Sequence, residues 1–239
     1  MVDAVIVEAV RSPVGKRNGG LAGLHPADLS AQVLRALADR SGVDPASVDD
    51  VIWGCVGQVG DQTLDIARTA VLAAGWPETV PGVTVDRQCG SSQQSVSFAA
   101  ASIIAGHYDI AVAGGVESMS RVPIGSSVVG GDPMSPWFLE RYGSHPNQGI
   151  GAEMIAQRWS LTRAQLDEFS LTSHERAAAA QDAGVFDAQI VPIRDYDGVE
   201  VVVILHRTFG LDVKAMQKGR DVFRSINTLA PYVLAHATK

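Results

Sequence analysis

Val85-Asp86-Arg87-Gln88-Cys89-Gly90-Ser91-Ser92 is the point where a short β-rich run hands over to a helical one, and its reading decides the fold. Upstream, residues 82–85 (Gly-Val-Thr-Val) predict a strand. Downstream, the chain from Cys89 or Gly90 to Ile104 carries Ser, Ala and Gly where bulkier residues would normally sit, which predicts a helix packed tightly inside the protein.

The same alternation extends in both directions. Residues 4–10 form an apolar, β-rich run ended by Arg11-Ser12-Pro13 and a glycine-spotted loop. From Pro26 the spacing of Leu29, Val33, Leu34 and Leu37, with Asp28 in the first turn, predicts an amphipathic helix that Gly42 ends. A strand at 51–53 and a helix at 65–74 precede the quoted junction, and a strand at 109–113 follows it and opens into Gly114-Gly115. Repeated βα units of this length make right-handed crossovers, so the expected fold class is α/β: a mostly parallel sheet with helices on both faces. Beyond Glu117 glycines and prolines punctuate a stretch of little periodicity, read as a long excursion or lid. Helices are predicted at 152–159 and 163–183, the second introduced by a capping box from Thr162 to Gln165 and stopped by Gly184. Residues 190–193 return the chain to the sheet. From Val199 the pattern is lost, apart from an all-apolar strand candidate at 201–205.

Composition narrows the function. The chain has 239 residues, 46% of them hydrophobic and 6% aromatic, enough to build a core. A net charge of −7 disfavours nucleic acid and anionic membranes, both of which need a basic field. Two cysteines are too few to staple a domain of this size, which predicts free thiols and a reducing compartment. No basic leader opens the sequence and no apolar run approaches the roughly 20 residues of a membrane span. The expected location is cytoplasmic.

Cys89 is the candidate nucleophile. At the end of a parallel strand and the start of a helix, its sulfur lies near first-turn amides whose partial positive charge favours thiolate over thiol. The carboxyl end of such strands is also where open α/β sheets bind ligands. Against this stands the habit of free cysteines to be buried as small hydrophobes, and spacing alone leaves both readings open. Cys55, in Trp53-Gly54-Cys55-Val56-Gly57, follows a strand but precedes no helix, so packing accounts for it.

Five ordered blocks carry a resemblance. Arg11-Ser12-Pro13 with Gly15 and Gly20-Leu21, residues 54–60 with Ala67-Arg68, Arg87-Gln88-Cys89-Gly90-Ser91-Ser92-Gln93-Gln94, Ala113-Gly114-Gly115-Val116-Glu117-Ser118-Met119-Ser120, and Gln148-Gly149-Ile150-Gly151-Ala152-Glu153 resemble the thiolase family (acetyl-CoA acetyltransferase and 3-ketoacyl-CoA thiolase) across residues 4–193. The resemblance implies the amino-terminal half of a thiolase fold. It divides the chain into a nucleophile-bearing core at 1–117, a loop domain covering acyl-CoA at 118–189, a return strand at 190–198 and an unmatched tail at 199–239. It implies an acyl-CoA C-acyltransferase of fatty acid metabolism and β-oxidation, working through an acyl-cysteine on Cys89. The Cys89 amide would be one oxyanion donor. Coenzyme A and acyl-CoA enter as substrates, with no permanently bound cofactor and no metal. Met119, Asn147 and Gln148, in or beside matched blocks, are candidate CoA contacts. A homo-oligomer is expected.

The sequence also departs from the family. Complete members add a Gly-His-Pro histidine and a Cys-x-Gly-Gly-Gly cysteine, and neither motif occurs here. Ser144-His145-Pro146 lies inside the loop excursion, where the default for a histidine is a solvated role, and His206 and His236 lie in the unmatched tail. Two other readings therefore stand beside the enzyme: a non-catalytic CoA-binding or oligomerising half-module that pairs with a separate second half, and a condensing enzyme of the ketoacyl-synthase type.

Overall fold

Three runs of β-branched and small residues pair in parallel: β1 (Asp50–Gly54), β2 (Gly82–Val85) and β3 (Ala111–Gly115). Their order is β2-β1-β3, with Trp53 opposite both Thr84 and Gly114. Every residue of β1 is buried, as a central strand requires. The computed structural model describes residues 3–145 and 147–198. Residues 3–130 with 189–198 form one compact unit, and 131–188 belong to a second.

In the first unit, alternation along β1 assigns the helices to opposite faces. Val51 and Trp53 point into a core shared with α1 (Pro26–Ser41) and α2 (Ile66–Ala73), where Leu34, Ile66, Ala67, Ala70 and Val71 are almost wholly buried. The Trp53 indole N–H donates to Ser30 Oγ at 3.2 Å, so the ring is buried with its polar atom satisfied. Gly54 points the other way, onto the start of α3 (Ser91–Ile104).

Local signals explain the helix ends. His25 Nδ1 accepts the Ala27 N–H at the start of α1, Pro26 occupies the first turn, and Gly42 closes it at φ +70°. Asp65 caps α2 and also accepts the Thr84 hydroxyl at 2.6 Å, tying helix to strand. Arg68 reaches past the helix to donate to the carbonyl oxygens of Val80 and Glu78, fixing the loop that enters β2.

The second unit is helical: α4 (Pro136–Tyr142), α5 (Gln148–Arg158) and α6 (Arg163–Asp182). Thr162 and Gln165 make the reciprocal capping box expected for α6, and Gly184 stops the chain at φ +67°.

The α/β class and the parallel sheet agree with the sequence reading; several elements differ. Residues 4–10 pair with no strand among the described residues, and Val5, Ile6 and Val7 are more than 70% exposed. Among the described residues, 190–193 supply only a parallel bridge between Arg11 and Ile190, closed by Arg11 N–H to Gln189 O and Val191 N–H to Arg11 O. Both runs have strand composition, but a strand also needs a neighbouring edge. The helix after Cys89 is not enclosed: its buried side chains are Ser91, Ser95 and Ala99, a stripe of one residue per turn, while Val96, Phe98 and Ile104 face out. β3 sits two residues later than expected, because Asp49 Oδ2 accepts the Asp109 and Ile110 amides and the ladder starts at Ala111. The excursion contains α4, capped by Ser135 and ended by Gly143, and α5 begins at Gln148 rather than at 152. The strand candidate at 201–205 lies outside the described residues, with the rest of the tail from Val199.

Candidate active site

The three strands end side by side, and the loops leaving them converge at that edge. Cys55 N–H donates to Val85 O at 3.0 Å and Val116 N–H to Gly54 O at 2.9 Å, so the ladder continues one residue into each loop. Close approach is possible because the strand ends carry glycine. A Cβ on Gly54 would lie 2.5 Å from Ser91 C and Ser92 N, one on Gly115 would lie 2.2 Å from Ser92 Oγ, and one on Gly114 would run into the Trp53 ring. The first turn of α3 therefore rests directly on the sheet.

That contact fixes the turn bearing Cys89. Gly90 N–H donates to Arg87 O at 2.6 Å, closing a tight turn over residues 87–90. The buried Ser91 hydroxyl straps the same turn from below, accepting the Arg87 N–H at 3.1 Å and donating to Arg87 O at 3.2 Å. Cys89 sits at the apex with φ +60°, a left-handed conformation that costs a non-glycine residue about 1–2 kcal/mol. The side chain is exposed. α3 begins two residues later, and its N-cap, Gly90, offers no side-chain acceptor to the first-turn amides. The thiol is thus exposed in a strained turn, beside an uncapped helix start at the carboxyl edge of a parallel sheet, and is not used for packing.

Cys55 has the opposite environment. It is fully buried in the α1/α2-side core, and burial, with the Glu117 and Asp86 carboxylates nearby, pushes its thiol up to about 12. Thiolate is thereby disfavoured.

A carboxylate and an amide that the sequence reading did not single out organise the neighbouring loops. Glu117 accepts the amides of Val56 at 2.9 Å and Gly57 at 3.2 Å. The fully buried Gln62 donates to Glu117 Oε1 at 2.8 Å and to Gly57 O, and accepts the Ser118 N–H at 2.7 Å. This network clamps the loop after β1 to the loop after β3. Glu117 belongs to a quoted block, but nothing in spacing links it to Gln62. The only available signal was the need of loop amides at a crowded sheet edge for acceptors.

The remaining candidates fall in different units. Met119 is half-exposed in the loop after β3, in the first unit. Asn147 and Gln148 belong to the second, where Asn147 Oδ1 caps α5 by accepting the Ile150 N–H at 3.0 Å and Gln148 is the first residue of that helix. His145 is exposed in the same unit, its ring 6.2 Å from that of Phe138. His206 and His236 lie outside the described residues. Among the described residues no cluster of His, Cys, Asp or Glu could hold a metal ion, and no helix is long and apolar enough to cross a membrane.

Comparison with known proteins converges on one family. The family model described as "Thiolase, N-terminal domain" matches residues 4–224. The steroid 3-ketoacyl-CoA thiolase of Mycobacterium tuberculosis is 50% identical over 207 residues, covering 83% of this chain and 51% of that protein. The beta-ketoadipyl-CoA thiolase of Pseudomonas aeruginosa is 38% identical over 207 residues, covering 80% of this chain and 51% of that protein. The crystal structure of the Bacillus anthracis acetyl-CoA acetyltransferase superposes with a TM-score of 0.71 at 39% identity, covering 84% of this chain and 53% of that one. The chain spans about half the length of the curated relatives it matches. The family match also runs to residue 224, past Val199, so the resemblance does not stop where the sequence reading ended it. The chain belongs to the thiolase family, whose amino-terminal domain it carries.

Proposed function

We propose that this chain is the nucleophile-bearing half of a thiolase-type acyl-CoA C-acyltransferase and that Cys89 forms its acyl-enzyme. One observation carries the reading: Cys89 is exposed at the apex of a left-handed turn, held by Ser91 against the glycine-lined carboxyl edge of the sheet. In the degradative direction Cys89 Sγ attacks the keto carbon of a 3-ketoacyl-CoA, giving up its proton to a base. The C2–C3 bond breaks, its electron pair leaves with acetyl-CoA, and a proton quenches the carbanion. The shortened acyl group remains as a thioester on sulfur until the thiol of a second CoA displaces it. The reverse sequence is a Claisen condensation.

Preorganised N–H donors at the Cys89 turn would stabilise the oxyanion of each tetrahedral intermediate, and Met119, Asn147 and Gln148 are the proposed CoA contacts. The histidine and second cysteine that complete members bring from their Gly-His-Pro and Cys-x-Gly-Gly-Gly segments would come from a complementary portion, so autonomous turnover by this chain is expected to be low. Thioester chemistry of this kind fits a cytoplasmic enzyme of fatty acid or related acyl-CoA breakdown. A homo-oligomer is the expected assembly.

A second reading, an oligomerising half-module without catalysis, is favoured by the exposed apolar run at Val5, Ile6 and Val7. Acetoacetyl-CoA and CoA mixed with the chain, alone and with the complementary half of a relative, separate the two. Loss of enolate absorbance that requires Cys89 supports the enzyme. A complex whose turnover is the same with Cys89→Ala as with the unaltered chain removes it.

A further inference from the structure

The chain leaving β1 is tied at three consecutive residues. Gly54 O accepts the Val116 N–H at 2.9 Å, Cys55 N–H donates to Val85 O at 3.0 Å, and Val56 N–H donates to Glu117 Oε2 at 2.9 Å. The first two ties are main-chain bonds that come with the parallel ladder. The third depends on one side chain. Glu117 is exposed, yet its carboxylate takes three N–H groups, from Val56, from Gly57 at 3.2 Å and from the fully buried Gln62 at 2.8 Å. Bonds to a charged acceptor are stronger than neutral ones. Gln62 cannot swing away, because it also donates to Gly57 O and accepts the Ser118 N–H.

What the carboxylate holds lies two residues from a contact without slack. A Cβ on Gly54 would stand 2.5 Å from Ser91 C and Ser92 N, and Ser91 shapes the Cys89 turn through its two bonds to Arg87. Cys55, between Gly54 and Val56, is fully buried and has no room to absorb a movement. Close-packed atoms pass displacement on, so a shift at Val56 reaches Ser91 and with it the thiol. Gly57 shows how tightly the carboxylate is seated: a Cβ there would meet Glu117 Oε1 at 2.9 Å and Gln62 Nε2 at 3.2 Å.

We infer that Glu117 is a positioning residue for the nucleophile. Through the Val56 and Gly57 amides it fixes the end of β1 against which the Cys89 turn is set, and Gln62 holds the carboxylate in the orientation that does so. Its hydrogen bonds go to Val56, Gly57 and Gln62, so it acts through the main chain and not on the thiol. The inference rests on the reading of Cys89 as the acylated residue for its kinetic half alone.

Two measurements on the full chain test it: hydrogen exchange at the Arg87 and Gly90 amides, both bonded within the turn, and acylation of Cys89 by acetyl-CoA with the complementary half of a relative bound. Glu117→Ala should speed exchange at both amides by about 10-fold. It should slow acylation at saturating acetyl-CoA by about 10-fold or more, with the half-saturating concentration little changed. Glu117→Gln keeps one acceptor oxygen at the same reach and should recover part of both losses. Gly57→Ala, whose new Cβ displaces the carboxylate without removing it, should act in the direction of Glu117→Ala and serves if that variant does not fold. Arg35→Ala, which cuts the bonds from α1 to the Ala73 and Ala74 carbonyls, should lower the melting midpoint and leave exchange in the Cys89 turn unchanged. Unchanged exchange at Arg87 and Gly90 in folded Glu117→Ala or Gly57→Ala overturns the inference. So does equal acceleration in Arg35→Ala, a loss confined to the half-saturating concentration, or Glu117→Gln as impaired as Glu117→Ala, which would assign the role to charge. An unaltered chain that never acylates removes the reading of Cys89 as nucleophile, and the exchange result still decides the positioning.

Discussion

Substituting Gly54 with alanine probes the contact on which the candidate site is built. The new Cβ would sit 2.5 Å from Ser91 C and Ser92 N and 2.8 Å from Ser91 Cβ. Two of these are backbone atoms, so no side-chain rotation relieves the clash. Restoring an ordinary contact of about 3.4 Å requires the first turn of α3 to retreat by about 0.9 Å. Ser91 is carried with it, and the two Arg87 hydrogen bonds that shape the Cys89 turn are stretched beyond use. Overpacking of this kind costs about 1–3 kcal/mol of stability. A displacement near 1 Å at a reacting group costs on the order of 100-fold in rate. Urea denaturation should show the first effect, and the rate of Cys89 acylation by acetyl-CoA the second. Gly23→Ala, where a Cβ meets nothing within 4 Å, should leave both unchanged. If Gly54→Ala keeps the parent midpoint and acylation rate, the helix start does not bear on the sheet as described and the reasoning fails.

Three further outcomes are expected. Alkylation of the folded chain at pH 8 should modify Cys89 and spare Cys55 until denaturant is added, because Cys55 is buried and its thiol is held up to about 12; equal labelling of both would contradict this. The same shift has a sign in stability: the folded chain retains the Cys55 proton that the unfolded chain loses near pH 9, so stability should fall as pH rises from about 9 towards 12, with a shallower fall in Cys55→Ala. Gln62→Leu removes three hydrogen bonds at a fully buried side chain and should lower stability by about 1–3 kcal/mol in urea titration, as partners are left unsatisfied; a neutral result would dissolve the clamp between the two loops.

The legible part of the fold was the part that local chemistry dictates. The helix from Pro26 to Ser41 announces itself through its proline, its apolar spacing and Gly42, and α6 through Thr162 and Gln165. The strands at 50–54 and 82–85 are short and β-branched, and the junction after them put Cys89 at the carboxyl edge. What could not be read depends on partners. Residues 4–10 have the sequence of an interior strand, but strand pairing is a property of two segments, and one of them is missing among the described residues. The small residues of α3 suggested burial on every side, whereas only Ser91, Ser95 and Ala99 of that helix are buried. Gln62 and Glu117 are 55 residues apart, and no periodicity brings a buried amide to a carboxylate across that separation. The αL turn at Cys89 is likewise set by Ser91 and Gly54, long after the sequence has placed a cysteine there.

Peptide mapping by mass spectrometry after brief exposure of the full chain to acetyl-CoA, with its complementary half bound, addresses the nucleophile most directly. An acetyl thioester confined to Cys89, absent in Cys89→Ala and discharged by added CoA, is the predicted result. An acyl group found only on Cys55 or on lysines, or the same CoA-dischargeable adduct in Cys89→Ala, would contradict it.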